Sequence, residues 1–365
     1  MLPRAPKDVG RLSDVLISAL GAITGGEANR LKLQRVKSAV VVLIDGLGLV
    51  NLQQNSGHAR NLTRMLEASG SQGIRCGFPS TTAVSLASLG TGLRAGEHGI
   101  LGYQVLDAAD KPKNMLTGWE NDEEARSWQP NETVFELAVK AGVVAHMVAS
   151  PEYAATGFTA LSMSGANFSG VADLNDRVLA AQAIAKTNGT ICYLYFAELD
   201  QAAHRFGVDS KQWRETLEAI DSAIALLRGD FGVLVTADHG IVDVEVSGQI
   251  YLEDIPGFSD AASFAVGDPR ALFAYGDAVG ARTALQLAGT QVYAVTPEEL
   301  IALGWIAPEL RTMGKAPDLV VIAKPGYACY DRRTANPRSL AMVGQHGGIS
   351  DEEMRVPLIR AGLFV

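Results

Sequence analysis

The chain has 365 residues, of which 47% are hydrophobic and 19% are charged. This balance is typical of a globular protein and excludes a disordered or fibrous chain. The formal net charge of -9 is spread along the chain with no run of lysine and arginine, so we expect no nucleic-acid-binding surface and no membrane binding. An anionic substrate would therefore need positive charge from another source, and metal ions could supply it.

The cysteines and the N-terminus indicate the compartment. The three cysteines, Cys76, Cys192 and Cys329, lie far apart without C-x-x-C spacing, so we expect neither a disulfide framework nor a thiolate zinc site. Residues 1–26 contain no apolar run suited to a signal peptide or to a membrane span of about 20 residues. These features predict a cytoplasmic protein, and nothing in the sequence indicates an oligomeric state.

Continuous apolar, β-branched runs predict strands that are buried on both faces. The four runs lie at residues 38–44, 191–197, 232–237 and 318–323. Helical periods occupy stretches between them, for example 176–186 and 213–228. This alternation predicts an α/β fold with a mostly parallel central sheet and helices on both faces, forming one catalytic domain over 1–365.

Two regions look different from this alternating pattern. Residues 103–190 and 245–317 carry clusters of Gly, Pro and Asp with only short periodic pieces. They predict loops and a smaller α+β cap or insert, which we place at approximately 245–317. Aromatic residues in the first region, namely Trp119, Tyr153 and Phe158, could stack on a nucleotide base, although most such residues belong to a core.

Carboxylates follow three of the predicted strands. Asp45 ends the first strand in VVVLIDGLG, and Asp200 and Asp238 come soon after two others. Because ligands of parallel sheets bind beyond the carboxyl ends of the strands, these side chains are candidates for one site. The alternative for each is a structural role, such as an Asp that caps the next helix.

Histidines accompany two of these carboxylates. In ELDQAAH, Asp200 and His204 are four residues apart and share one face if the segment is helical. In TADHG, Asp238 and His239 are adjacent, and the following glycine allows a turn that brings both towards one ion. His346 lies between glycine turns in GQHGG. Oxygen and nitrogen ligands suit zinc, whereas an orienting hydrogen-bonded pair is the alternative.

A turn rich in hydroxyl groups precedes a helical run in FPSTTAVSLASLG. A hydroxyl at a helix N-terminus lies where backbone N–H groups and the helix dipole favour phosphate oxygens. Threonine needs activation to act as a nucleophile, and metal coordination can provide it. Two divalent ions about 4 Å apart can hold the nucleophile and the leaving oxygen of an in-line displacement. We therefore expect two metal ions, zinc in the first place and manganese as the alternative.

These motifs resemble those of the alkaline phosphatase superfamily, and in particular its nucleotide pyrophosphatase/phosphodiesterase branch. The similarity extends in order from VVVLIDGLG through FPSTTAVSLASLGTGLRAGEHGI, ELDQAAH and TADHG to GQHGG. It implies one metal bound by Asp200, His204 and His346. It implies a second metal bound by Asp45, Asp238 and His239.

The resemblance also implies the nucleophile and a phosphoryl-binding residue. The threonine three residues after Pro79 is Thr82, which would attack phosphorus and bind metal, with Thr81 as the alternative. Relatives usually carry Asn three residues beyond the nucleophile, whereas this chain has Ser85, which can still donate a hydrogen bond to substrate.

The function implied is a metal-dependent phosphoric ester hydrolase, specifically a phosphodiesterase or nucleotide pyrophosphatase that forms a phosphothreonine intermediate. Its substrate would be a small-molecule phosphate ester or nucleotide. A phosphomonoesterase or phosphonate hydrolase is the first alternative, and Arg94 or Arg205 could then bind the extra anionic oxygen. A catalytically silent binding protein of the same fold is the second alternative.

Overall fold

The computed structural model describes residues 1–7 and 9–365. The strands in chain order are β1 (Ser38–Ile44), β2 (Ile74–Arg75), β3 (Gln104–Leu106), β4 (Pro112–Asn114), β5 (Val144–Ala149), β6 (Asn167–Gly170), β7 (Thr190–Phe196), β8 (Gly232–Thr236), β9 (Val242–Asp243), β10 (Gln249–Tyr251), β11 (Ala262–Asp268), β12 (Ala271–Gly276), β13 (Val292–Val295), β14 (Leu319–Ala323), β15 (Ala328–Tyr330), β16 (Gly344–Gln345), β17 (Arg355–Val356) and β18 (Leu358–Gly362).

Helices alternate with these strands. In chain order they are α1 (Val15–Thr24), α2 (Leu49–Gln54), α3 (Arg60–Ser69), α4 (Thr82–Thr91), α5 (Asp122–Trp128), α6 (Val134–Lys140), α7 (Gly157–Met163), α8 (Leu174–Ala185), α9 (Glu198–Phe206), α10 (Lys211–Ile224), α11 (Phe258–Ala261), α12 (Ala278–Leu287), α13 (Pro297–Leu303), α14 (Pro337–Leu340) and α15 (Asp351–Met354). Within the described part of the chain, none of the helices has the length and apolar character that crossing a bilayer requires.

The central sheet has six strands in the order β18-β8-β1-β7-β5-β6. All neighbouring pairs are parallel except β18 and β8, which are antiparallel. In the middle of the sheet, Val41 pairs with Tyr193 of β7 and with Leu234 of β8. Every residue of β1 is buried, which accounts for its uninterrupted apolar run. The predicted α/β fold with a mostly parallel central sheet is confirmed.

Two strands of this sheet come from the region where we expected loops and a small α+β portion. Strands β5 and β6 extend the sheet beyond β7, so that expectation is wrong for these segments. Strand β5 lacks a continuous apolar run because Val144 is exposed and His146 is only half-buried. Strand β6 is a short polar edge strand, NFSG, with no apolar pattern to detect.

A second sheet is antiparallel, with strand order β11-β12-β14-β13. It contains the run at 318–323, so the expectation that this run belongs to the parallel sheet is wrong. Leu319 and Val321 belong to one apolar cluster with α12, whereas Val320 and Ile322 belong to the main core. Because both faces of β14 are covered, its sequence looks like that of a parallel strand. The second sheet spans residues 262–323, a range that overlaps the predicted insert at approximately 245–317.

The carboxyl ends of the central strands provide the platform for the polar motifs. Asp45 follows β1 directly, Asp238 follows β8 by two residues, and Asp200 lies in the first turn of α9, just after β7. Because these three strands are neighbours and parallel, their ends meet at one edge of the sheet.

Candidate active site

Six predicted ligand residues lie close together at this edge. One group consists of Asp45, Asp238 and His239, whose ligand atoms all lie within 4.8 Å of one another. The Nε2 atom of His239 is 3.5 Å from Oδ1 of Asp45 and 3.4 Å from Oδ2 of Asp238. All three side chains are buried, so this group matches the second trio that the resemblance implied.

The second group has a different composition from the one we expected. Ligand atoms of Asp200, His239 and His346 lie within 4.8 Å of one another, whereas the resemblance grouped His204 with Asp200 and His346. His204 is nevertheless adjacent, because its Nε2 is 3.3 Å from Oδ2 of Asp200. The ring of His346 stacks on that of His239, with 3.8 Å between their centroids, and lies 5.1 Å from that of His204. His239 therefore lies between the two predicted metal positions.

Thr82 is in contact with these ligands. Its Oγ1 lies 3.1 Å from Nε2 of His239, and it is the first residue of α4. Thr81 precedes the helix with an extended backbone and is buried. Of the two predicted nucleophiles, Thr82 is the one whose hydroxyl contacts His239.

The three histidines share one hydrogen-bonding arrangement. In each ring Nδ1 faces a backbone carbonyl: that of Gly344 for His204 at 2.8 Å, and that of Ser80 for His346 at 3.0 Å. For His239 the carbonyl is that of the next residue, Gly240, at 3.3 Å. Because a carbonyl can only accept, Nδ1 must donate, and Nε2 carries the lone pair whenever the ring is neutral. Such outer contacts orient imidazoles for metal binding.

The carboxylates have unsatisfied acceptor atoms. Among the described residues, four buried carboxylate oxygens lack a hydrogen-bond partner, and three of them belong to predicted metal ligands: Oδ1 of Asp45, Oδ1 of Asp200 and Oδ2 of Asp238. The fourth is Oδ2 of Asp268. A buried polar atom without a partner is costly, and a cation would satisfy each of the three predicted ligand oxygens. The donor set of carboxylate oxygens and imidazole nitrogens thus fits two divalent metal ions.

Burial and neighbouring charges act on the ionisation of these groups. Burial raises the pKa of Asp45 well above its ordinary value, and the charges of Asp238 and Asp200 raise it further. Burial lowers the pKa of His346 far below its usual range, and His239 adds to this effect. The negative charges of the carboxylates therefore oppose one another, and bound cations would relieve that repulsion. The lowered pKa of His346 favours the neutral imidazole, which is the form that binds a metal.

Asp200 and His204 form an ion pair within the cluster. Although burial opposes it, the charge of Asp200 raises the pKa of His204 to about 9. In the same way, His204 lowers the pKa of Asp200 despite the effect of burial. A metal ion that binds this pair would have to displace the proton of His204.

Ser85 is buried and does not face an open cavity. Its side chain is fully buried in α4, and its hydroxyl lacks a hydrogen-bond partner among the described residues. It lines neither of the two cavities that open onto Thr82. The role of Ser85 in substrate binding stays a prediction.

Two residues at the site were missed from the sequence. The hydroxyl of Tyr195 donates to Oδ2 of Asp45. Tyr195 lies in the buried strand β7, where the sequence does not distinguish an aromatic residue with a role in the site from one that only packs in the core. Asp268, at the end of β11, is buried, and burial raises its pKa to about 7. It belongs to the second sheet, where no motif marks it.

Two cavities meet at Thr82. The larger, about 660 Å³, has polar side chains in its lining, among them Asp268, Tyr103 and Asn114. The smaller, about 240 Å³, is mostly apolar. Its lining includes Leu86, Met147, Tyr153, Phe158, Met163, Tyr193 and Tyr195.

Only some of the aromatic and arginine residues that we predicted to contact substrate line these cavities. Tyr153 and Phe158 line the apolar cavity, whereas Trp119 packs edge-on against Trp128, with 5.8 Å between the ring centroids. Neither Arg94 nor Arg205 is among the described residues that line the two cavities at Thr82. Arg205 stacks over the ring of Phe206 instead.

The fold and the site define a hydrolase of the alkaline phosphatase superfamily. The chain belongs to the type I phosphodiesterase/nucleotide pyrophosphatase family, because residues 39–349 match the sequence model of that family. The family is metal-dependent and hydrolyses phosphate esters, which agrees with the Asp and His groups at the strand ends. A search of the curated proteins finds no match to this chain.

Solved structures show the same fold. Murine ectonucleotide pyrophosphatase/phosphodiesterase 5 superposes with a TM-score of 0.65 at 15% identity, covering 88% of this chain and 87% of that one. The human protein of the same name gives a TM-score of 0.63 at 15% identity, with coverage of 88% and 87%. An inactive threonine-to-alanine variant of the murine protein, in complex with AMP, gives 0.65 at 14% identity, also with coverage of 88% and 87%.

Proposed function

We propose that this chain is a two-metal phosphodiesterase or nucleotide pyrophosphatase in which Thr82 forms a phosphothreonine intermediate. The observation that carries the proposal is the 3.1 Å contact between Oγ1 of Thr82 and Nε2 of His239, inside the cluster of Asp and His side chains. A hydroxyl in such a position can be activated, whereas an isolated threonine is a weak nucleophile.

The reaction would proceed in two displacements at phosphorus. The oxygen of Thr82 loses its proton and attacks, the bond from phosphorus to the first alcohol breaks, and that alcohol takes up a proton. Water then attacks the phosphothreonine and releases the phosphate monoester of the second alcohol. Bound divalent ions would supply the positive charge that stabilises the nucleophile, the leaving oxygen and the phosphoryl oxygens.

Residues of this chain would prepare the site for that chemistry. Asp45, Asp238 and His239 would hold one ion, and Asp200, His204 and His346 would hold the other. The N-terminus of α4, where Thr82 lies, presents backbone N–H groups and a positive dipole end to a phosphoryl group.

We propose zinc as the metal, with manganese as the alternative. Three imidazoles and three carboxylates make a mixed nitrogen and oxygen donor set, which suits zinc, whereas manganese prefers a site richer in oxygen ligands.

The cavities support an organic ester as the substrate. The apolar cavity beside Thr82 is lined by aromatic rings, including Tyr153 and Tyr195, whose centroids are 5.4 Å apart. An aromatic group such as a nucleotide base fits that lining. The complex of AMP with a structurally similar protein supports this proposal. Neither Arg94 nor Arg205 lines these cavities, but Arg338 lines the larger one, so a phosphomonoester stays the alternative substrate.

Replacement of Thr82 tests the proposal. The Thr82→Ala variant should lose turnover of bis-nitrophenyl phosphate and keep a metal content near that of the wild type, measured by elemental analysis. Thr81→Ala is the matched control and should remain active. Unchanged turnover of Thr82→Ala would contradict the nucleophile. A wild-type preference for nitrophenyl phosphate over the diester would support the phosphomonoesterase alternative instead.

A further inference from the structure

A buried ion pair joins the second sheet to the catalytic edge of the central sheet. Arg270 directly precedes β12 and Glu353 lies in α15, and their side chains are 1% and 0% exposed. Nε of Arg270 donates to Oε1 of Glu353 at 3.0 Å, and Nη2 donates to Oε2 at 2.8 Å. A bidentate contact of this kind fixes orientation as well as charge.

Glu353 is bonded to two loops that carry predicted metal ligands. Its Oε1 accepts from the backbone N–H of Gly348 at 2.8 Å, two residues after His346. Its backbone carbonyl accepts from the N–H of Gly240 at 2.9 Å, immediately after His239. One residue therefore ties together the loops that bear the two stacked imidazoles.

These loops run directly against α15. A Cβ atom added to Gly348 would lie 2.6 Å from Oε2 of Glu353, and one added to Gly240 would lie 2.0 Å from the carbonyl oxygen of Glu352. Real Cβ contacts are not this short. The close approach requires glycine at both positions, and it leaves the loops no space to shift towards the helix.

The loop after His346 is also held from its other side. The hydroxyl of Ser80 donates to the carbonyl of Gly348 at 2.8 Å and accepts from the N–H of Gly347 at 3.1 Å. Ser80 lies two residues before Thr82. The ion pair and Ser80 together fix this loop relative to the proposed nucleophile.

Arg270 is itself fixed within the second sheet region. Its Nη1 donates to the carbonyls of Lys324 and Tyr327, the first at 2.7 Å. Although burial alone would raise it, the pKa of Glu353 is lowered by Arg270, so both side chains carry charge at neutral pH. The guanidinium thus has fixed partners on each side of the junction.

We propose that Arg270 and Glu353 are positioning residues that hold His239 and His346 in the geometry for binding metal. The second sheet thereby contributes to a metal site to which it supplies no ligand. This inference rests on the proposed two-metal function. Outer contacts that orient metal ligands typically change metal affinity about 10- to 100-fold when they are removed.

Zinc affinity tests the proposal directly. The dissociation constant would be measured on the full chain, by competition with a chromophoric chelator, for the wild type and for Glu353→Gln and Arg270→Lys. Both variants should bind zinc about 10- to 100-fold more weakly. The control is Arg282→Lys, at an arginine that pairs with Glu299 and lines neither cavity at Thr82, and its zinc affinity should be unchanged.

A double variant separates positioning from stability. Apolar replacement of both partners avoids leaving one buried charge unpaired, so Arg270→Met combined with Glu353→Leu should melt at a higher temperature than either single variant. It still leaves the N–H of Gly348 without an acceptor and should bind zinc weakly. If zinc affinity recovers together with the melting temperature, the pair is merely structural and the proposal is overturned.

Zinc binding and folding of these variants distinguish failure of the proposed function from failure of the positioning role of Arg270 and Glu353. A wild-type protein that binds neither zinc nor manganese overturns the proposed function, whereas folded single variants with wild-type zinc affinity overturn only this inference. If no variant folds, amide hydrogen exchange on the metal-free wild type decides. The N–H groups of Gly240 and Gly348 should be protected there, and free exchange would overturn the proposal.

Discussion

His239 and Thr82 are linked by a 3.1 Å contact between Nε2 and Oγ1, and the same Nε2 lies within 3.5 Å of Asp45 and Asp238. One nitrogen therefore adjoins the proposed nucleophile and the ligands of one metal position. Because the His239 ring also stacks on His346, it connects the two halves of the site.

Loss of this imidazole should affect metal binding and turnover together. The His239→Ala variant should lose activity at least about 100-fold, since even the loss of an outer contact to a metal ligand costs 10- to 100-fold. Its metal content, measured by elemental analysis, should fall below that of Thr82→Ala. His58→Ala is the control, because His58 is an exposed histidine paired with Glu218. Wild-type metal content in His239→Ala would exclude His239 as a ligand.

The tyrosine bonded to Asp45 should matter more than its neighbour in the same strand. Tyr195→Phe removes the donor to Oδ2 of Asp45 and should weaken zinc binding about 10-fold or more. Tyr193→Phe is the matched control, because among the described residues the Tyr193 hydroxyl has no hydrogen-bond partner and its loss leaves nothing unsatisfied. Equal zinc affinities in the two variants would contradict an orienting role for Tyr195.

Asp268 should make the metal-free protein less stable as the pH rises. Burial raises its folded pKa to about 7 from an ordinary value of 3.8. The contribution of Asp268 to the free energy of unfolding is thus fully present below pH 3.8 and is lost as the pH rises through 7. Asp268→Asn should therefore lose less stability than the wild type between pH 5 and pH 8, measured as melting temperature with chelator present. Asp230→Asn, at an exposed position, should behave as the wild type does. Identical pH profiles for Asp268→Asn and the wild type would refute this assignment.

Zinc should stabilise the folded protein, since the buried oxygens of Asp45, Asp200 and Asp238 gain a partner. A ligand that binds only the folded state adds about 2.7 kcal/mol at a free concentration 100 times its dissociation constant. The melting temperature should rise with zinc and fall again with chelator, and a weaker response to manganese would support zinc. Asp45→Asn should lose most of the rise. A response to zinc that persists unchanged in this variant would place the ion elsewhere.

Much of the candidate site can be predicted from the sequence because each predicted ligand lies beside a distinctive local pattern. Asp45 and Asp238 follow uninterrupted β-branched runs, and the neighbouring strands β1 and β8 bring them together. The spacing of Asp200 and His204 matches one turn of α9. The end of a strand and the spacing of one helical turn depend on neighbouring residues, so both can be predicted from the sequence.

The remaining features depend on contacts between distant segments. Tyr195 reaches Asp45 across 150 positions of the chain, and Asp268 faces the site only because the second sheet packs over it. The strand at Leu319–Ala323 was misplaced for the same reason: burial on both faces determines its composition, whichever sheet it joins. Tertiary packing determines these contacts and the sheet that a strand joins, and the local periodicity of the sequence does not indicate either.

The carbonyl partners of the three imidazoles have a consequence for how such a site can diverge. The acceptors at Gly344, Ser80 and Gly240 are main-chain oxygens, which every amino acid possesses. Substitution of a neighbouring side chain therefore cannot abolish the acceptor as long as the backbone keeps its path. The backbone therefore sets the orientation of each histidine ring, so the cavity walls can change for new esters while the three imidazoles keep their orientation.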